Sequence, residues 1–90
     1  MALVEIYSSP SCGFCCRAKH LLNTKEALFT EIDVSMDAER RAEMEQRSGG
    51  RYTVPQIFIN DMHVGGCDEL YALERAGELD QLLAEGNLQS

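Results

Sequence analysis

Cys12-Gly13-Phe14-Cys15 stands between an apolar run, Leu3-Val4-Glu5-Ile6-Tyr7, and an amphipathic stretch from Phe14 to Lys25. The run reads as a buried strand and the stretch as a helix. Cys12 then falls at or just before the first turn of that helix. Free backbone N–H groups and the positive end of the helix dipole favour a thiolate over a thiol there. The thiolate is the reactive form, so a strand, a Cys-x-x-Cys and a helix in that order point to thiol–disulfide chemistry. At this spacing the two sulfurs reach disulfide distance without distorting the backbone. Cys12 is the expected nucleophile, and Cys15, one turn deeper, the favoured resolving thiol. Cys16, four residues from Cys12 on the same helix face, competes by spacing but is expected to pack as a small apolar residue.

Working outward, Leu28 to Val34 makes a second strand, with Leu28, Thr30, Ile32 and Val34 on one face and Phe29, Glu31 and Asp33 on the other. Asp37 caps a helix that runs to about Arg47, with Ala38, Ala42 and Met44 as its apolar positions, and Gly49-Gly50 ends it. The mixed charges from Glu39 to Glu45 read as its solvated face. Gln56 to Ile59, a tight turn at Asn60-Asp61, and Met62 to Val64 form a hairpin. Gly65-Gly66 precedes a helix from Cys67 or Asp68 to Ala76, and Glu78 to Ala84 is a short terminal helix, with fraying expected after it. The order β-α-β-α-β-β-α predicts an α/β fold: a four-stranded mixed sheet, the first two strands parallel, with helices on both faces.

Ninety residues, 44% of them hydrophobic, suit a single domain over residues 1–90 with one core. The net charge of −7 and the lack of a basic cluster argue against nucleic acid as a partner. No stretch approaches the roughly 20 apolar residues of a membrane span. No secretory signal is visible, so a reducing cytoplasmic compartment is the expectation. Four cysteines in that setting read as redox groups or metal ligands rather than a disulfide framework. A zinc site would need a second ligand pair, and His20, His63 and Cys67 supply none; both histidines read as scaffold residues.

Two further elements bear on chemistry. In Thr53-Val54-Pro55, a proline opening a strand marks an edge or a cis bond. If cis, it leaves the Val54 N–H and C=O free to pair with an extended substrate. In Gly65-Gly66-Cys67-Asp68, two glycines permit close backbone approach, and the N–H groups of Cys67 and Asp68 form a nest for a carboxylate. The Asp68 side chain can accept from an ammonium, so an α-amino acid end suits the pair. Taken singly, Pro55 reads better as an ordinary edge proline, and the glycine pair at least as well as a plain turn with Asp68 at the helix start.

Together these elements can all lie at one end of a single sheet, and the whole pattern resembles the glutaredoxins over nearly the full chain. Glu5-Ile6-Tyr7, Arg17-Ala18-Lys19, Thr53 to Ile59 and Gly65 to Leu70 are similar to bacterial dithiol glutaredoxins, most of all the glutaredoxin 3 type. The resemblance implies a thioredoxin-like fold and an enzyme that reduces protein disulfides and glutathione mixed disulfides. It implies glutathione as co-substrate, disulfide-containing or glutathionylated proteins as partners, and a monomer unless a cluster bridges two copies. Cys12 and Cys15 take the catalytic positions. Val54 and Pro55 match the pairing segment and its cis-proline, Gly66, Cys67 and Asp68 the γ-glutamyl end, and Thr53 and Phe14 the groove walls. Where relatives carry a lysine before the motif, this chain has Ser8-Ser9-Pro10-Ser11, leaving the glycine carboxylate to Gln56, Arg51 or Arg47. Gly13 and Phe14 replace the usual Pro-Tyr. Cys-Gly-Phe also opens the motif of monothiol relatives that hold a 2Fe–2S cluster through the first cysteine and glutathione, which makes cluster carriage the alternative role.

Overall fold

The computed structural model describes residues 2–85. Four strands, β1 (Val4–Ser8), β2 (Phe29–Asp33), β3 (Gln56–Ile59) and β4 (Met62–Gly65), form one sheet in the order β2-β1-β3-β4. β1 runs parallel to β2 and antiparallel to β3, and β3 is antiparallel to β4. The helices are α1 (Gly13–Thr24), α2 (Ala38–Arg47), α3 (Cys67–Arg75) and α4 (Leu79–Ala84). The expected element order and mixed topology are both present. The fraying expected at the end of the chain lies outside the described residues.

Strand alternation divides the core in two. On one face Val4, Ile6, Ile57 and Ile59 pack with Ala18, Leu21 and Leu22 of α1, Leu70 of α3 and Leu79 of α4. On the other, Tyr7, Phe58 and Val34 pack with Met44 of α2. In β2, Phe29 joins the first cluster and Ile32 the second, as its alternation requires. Leu28, placed by alternation on the face of Ile32 and Val34, is 75% exposed, because β2 is an edge strand and begins one residue later. Of the three apolar positions expected on α2, only Met44 is buried; Ala38 and Ala42 face solvent.

A polar clamp replaces the missing apolar surface under α2. Arg47 reaches over the Phe58 ring at 4.0 Å, donates to Glu5 at 2.9 Å and Asp61 at 3.1 Å, and donates to the Tyr7 hydroxyl at 2.8 Å. Tyr7 in turn donates to Glu43. Asp37 caps α2 as expected, accepting from the Arg40 N–H at 3.0 Å.

The hairpin turn works through positive φ at Asn60 (51°) and Asp61 (66°), residue types that tolerate it. The Asn60 side chain accepts from Leu3 N–H at 2.9 Å and donates to Glu85 O at 3.5 Å, and Ala2 N–H reaches Leu83 O at 3.2 Å. Both ends of the described chain are thereby tied at the turn end of the sheet. Among the described residues no helix is long and apolar enough to cross a membrane.

Candidate active site

β1 delivers the chain to Cys12 at the opposite end of the sheet. Cys12 is the N-cap of α1, with extended φ/ψ of −94° and 112°, and its Sγ accepts from the Cys15 N–H at 3.1 Å. The cap therefore lies one position earlier than Phe14 suggests: a sulfur fills the role usually taken by a hydroxyl or carboxylate oxygen. Cys12 Sγ also lies 3.6 Å from Val54 O, with its thiol donating to that carbonyl. The sulfur is half-buried between the helix end and the segment before β3.

Cys15 has no exposed surface. Burial, then its contact with the Cys12 sulfur, pushes its thiol up to about 12. The two sulfurs of the motif thus sit in different surroundings, one at the surface and one beneath it. Cys16 is exposed rather than packed, because the first turn of α1 turns that position away from the sheet. None of the four cysteines is joined in a disulfide in this structure.

The Val54–Pro55 bond is cis, so the proline is not merely an edge residue. Buried Gln56 donates to Thr53 O at 3.0 Å, which ties that turn to the start of β3, and its Oε1 meets His63 Nε2 at 2.6 Å. His63 is half-buried beside Phe58, and burial holds its imidazole below the ordinary value; His20 is exposed on α1.

Gly65 ends β4 with φ of +118°, and a Cβ there would come within 2.9 Å of Glu69 Cγ, so only glycine fits without displacement. Gly66 N–H donates to Glu69 Oε1 at 2.7 Å, the backward half of a capping box. Leu70 N–H is the first in α3 to reach a helical carbonyl, Gly66 O at 3.0 Å. The N–H groups of Cys67 and Asp68 precede that ladder and point out of the helix start. Cys67 is 5% exposed, and burial raises its thiol. Asp68 is exposed.

Phe14, Thr53, Val54, Pro55, Gly66, Cys67 and Asp68 line one cleft of about 290 Å³. These are the seven residues that the sequence pointed to for binding. Phe14 is 57% exposed, leaving an aromatic wall free. Of the three residues considered for a second carboxylate, Gln56 is engaged with Thr53 and His63, and Arg47 with the turn end of the sheet. Arg51 stays beside Gly66, with only a loose 3.9 Å approach to Glu69. Glu69 itself was not singled out, although an acid three residues after a helix cap is a readable signal.

The arrangement supports disulfide exchange: an accessible sulfur, a second sulfur beneath it, and a cleft with backbone donors at one side. Among the described residues, no group of three or more His, Cys, Asp or Glu is placed to hold a metal ion.

A sequence model of the glutaredoxin family matches residues 4–64. The chain is 54% identical to glutaredoxin 3 of Escherichia coli (strain K12) over 83 residues, 92% of this chain and 99% of that protein. The solution structure of a Brucella melitensis glutaredoxin superposes with a TM-score of 0.80 at 60% identity, covering 92% and 89% of the two chains. A crystal structure of a buckwheat glutaredoxin–glutathione complex does so with a TM-score of 0.82 at 30% identity, covering 91% of this chain and 76% of that one. With its thioredoxin-like sheet and its paired thiols, this chain belongs to the glutaredoxin family of thiol–disulfide oxidoreductases.

Proposed function

We propose that the protein uses glutathione to reduce protein disulfides and glutathione mixed disulfides through Cys12 and Cys15. The observation that carries this reading is the single cleft lined by Phe14, the Thr53-Val54-Pro55 segment and the Gly66-Cys67-Asp68 helix start, with Cys12 Sγ 3.6 Å from Val54 O at its edge. Glutathione has an extended backbone, a thiol at its centre and an α-amino acid end. Val54 would pair with its central residue, the Cys67 and Asp68 N–H groups would take the γ-glutamyl carboxylate, and the Asp68 carboxylate its ammonium. Arg51 is the remaining candidate for the glycine carboxylate.

In the first step the Cys12 thiolate attacks the glutathione sulfur of a mixed disulfide. The S–S bond breaks, and the protein substrate leaves as a thiolate that takes a proton from solvent. Cys12 then carries glutathione. A second glutathione thiolate, or Cys15, attacks next; the first route regenerates Cys12 and the second forms the Cys12–Cys15 disulfide. Residues 1–90 act in this reading as one domain, monomeric at rest, in the reducing cytoplasm where glutathione is the thiol pool.

The test is a glutathione-coupled reduction assay on Cys12→Ser and Cys15→Ser. Cys12→Ser is expected to abolish turnover, and retained turnover would overturn the nucleophile. Cys15→Ser is expected to spare deglutathionylation while losing protein-disulfide reduction; equal loss of both would overturn the one-thiol step.

Cluster carriage is the second reading, favoured by Gly13, around which nothing lies within 4 Å of where a side chain would start. That leaves open space beside Cys12. The residues fit a 2Fe–2S cluster only if Cys12 of two copies and two glutathiones supply its four sulfurs. When bound, such a cluster would provide electron transfer or iron–sulfur delivery. Anaerobic reconstitution with iron, sulfide and glutathione separates the readings: a stable coloured dimer that lacks turnover favours the cluster.

A further inference from the structure

On the side of α1 turned toward β2, the side chains of Ser8, Lys19 and Glu31, all outside the proposed cycle, meet at one carboxylate oxygen. Glu31 Oε2 accepts from Ser8 Oγ and from Lys19 Nζ, each at 2.7 Å. The parallel register sets Ile6 opposite Glu31 and Ser8 opposite Asp33, so Ser8 and Glu31 share the sheet face that α1 covers. Ser8 is 1% exposed, at the end of the strand that leads to Cys12. The Lys19 and Glu31 side chains are 26% and 41% exposed.

Lys19 follows Cys15 by four residues, one turn along α1, so the two occupy the same strip of the helix. The pair with Glu31 holds the ammonium on that strip instead of letting it swing into solvent. Its two donors hold Glu31 below the usual carboxylate range, and Glu31 holds Lys19 above the usual ammonium range, so both stay charged. Burial and the Cys12 sulfur raise the Cys15 thiol, while the Ser9 backbone N–H and the Lys19 charge pull it down.

We propose that Lys19, fixed by Glu31 and Ser8, is a positioning residue for the resolving step: it keeps a positive charge beside buried Cys15 while that sulfur attacks the Cys12 mixed disulfide. The inference rests on the Cys12/Cys15 cycle proposed above. In the step, Cys15 gives its proton to solvent and its sulfur attacks Cys12 Sγ. The Cys12–glutathione S–S bond breaks, glutathione leaves with the bonding pair and takes a proton, and the Cys12–Cys15 disulfide forms. Cys15 is oxidised and glutathione reduced, with no further reactant. The rate follows the thiolate fraction of the attacker, partly offset by its lower nucleophilicity, so each tenfold change in thiolate alters the rate about threefold.

The experiment mixes reduced protein rapidly with a glutathionylated peptide, without free glutathione, and quenches in acid. Release of the peptide thiol reports the Cys12 step, and release of glutathione reports resolution by Cys15. Lys19→Met is expected to slow glutathione release about two- to threefold, with peptide release little changed, and Lys19→Arg to restore it. Glu31→Gln, which leaves the charge but frees it to move, is expected to fall between. Unchanged glutathione release in Lys19→Met, or equal slowing of both releases, would overturn the role of Lys19 alone. The Cys15→Ser protein is expected to release peptide but keep glutathione. If it lets glutathione go as fast as the unchanged protein, the dithiol cycle fails, and this inference with it.

Discussion

The two faces of the sheet are closed by different means. The face under α1, α3 and α4 buries ten residues in one apolar cluster, whereas the face under α2 buries four and relies on Arg47, Glu5, Asp61, Tyr7 and Glu43 to hold its helix. Both helix starts that build the cleft, α1 at Cys12 and α3 at Gly66, belong to the apolar face. Chemistry that depends on sulfur and N–H positions rests on close-packed side chains, which admit few alternative arrangements. Of the cleft residues, Val54 packs against the α2-side cluster, yet that face relies on a wetter, charge-based closure.

Replacing Leu22, fully buried between α1 and the sheet, should break the apolar side most severely. Leu22→Ala is expected to cost about 3–5 kcal/mol, read as a shift of the urea midpoint, with activity falling only as the folded fraction falls. A cost near that of an exposed position would mean the apolar face is not the tighter one. Arg47→Met, which keeps bulk over Phe58 but leaves Glu5 and the Tyr7 hydroxyl without their donor, should cost about 1–3 kcal/mol. Turnover per folded molecule should be unchanged, because Arg47 lies toward the turn end; a loss of turnover would join the two faces functionally.

Asp68→Ala sharpens the contrast in the opposite sense, touching the cleft without touching the core. Its side chain is exposed, so stability should hold, while the apparent KM for a glutathionylated substrate should rise about tenfold, the low end for a charge-assisted hydrogen bond. An unchanged KM would remove the ammonium site from Asp68. The smallest effect is on the acid side of the α2 face. The Tyr7 hydroxyl, then Arg40, holds the Glu43 carboxyl below its ordinary 4.5. A carboxylate lowered in the folded state stabilises fully above its unfolded value, and that stability is lost as pH falls through the folded one. Glu43→Gln should therefore reduce stability near neutral pH and flatten the fall below about pH 4.5. Because the Glu43 side chain is 38% exposed, solvent screening keeps this to about 0.5 kcal/mol or less.

These same faces mark how far the sequence could be read. The apolar side was legible because its signals are local: alternation in β1 and β2, the thiol spacing at a helix start, and two glycines before another. The cleft followed from the thiol spacing, the Val54-Pro55 strand start and the two glycines taken together, with Phe14 and Thr53 supplied by the family resemblance. On the α2 face, helical spacing pointed to Ala38, Ala42 and Met44, but of these only Met44 holds the helix, together with an arginine that a local reading leaves in solvent. Partners of Arg47 come from β1 and the hairpin turn, 42 residues before it in one case and 14 after it in the other. Register alone brings them together, and no spacing rule announces it. Ser8, Lys19 and Glu31 escaped for the same reason, as did the exposure of Cys16, which depends on how α1 is rotated over the sheet.

The Asn60 side chain, bonded to Leu3 and Glu85 at once, gives the molecule two poles. Thiols and cleft occupy one, and both ends of the described chain leave from the other. A fluorescent reporter or a targeting module joined at either end would leave the groove open, and joining those ends through a short linker would suit a circular permutant cut elsewhere on the surface.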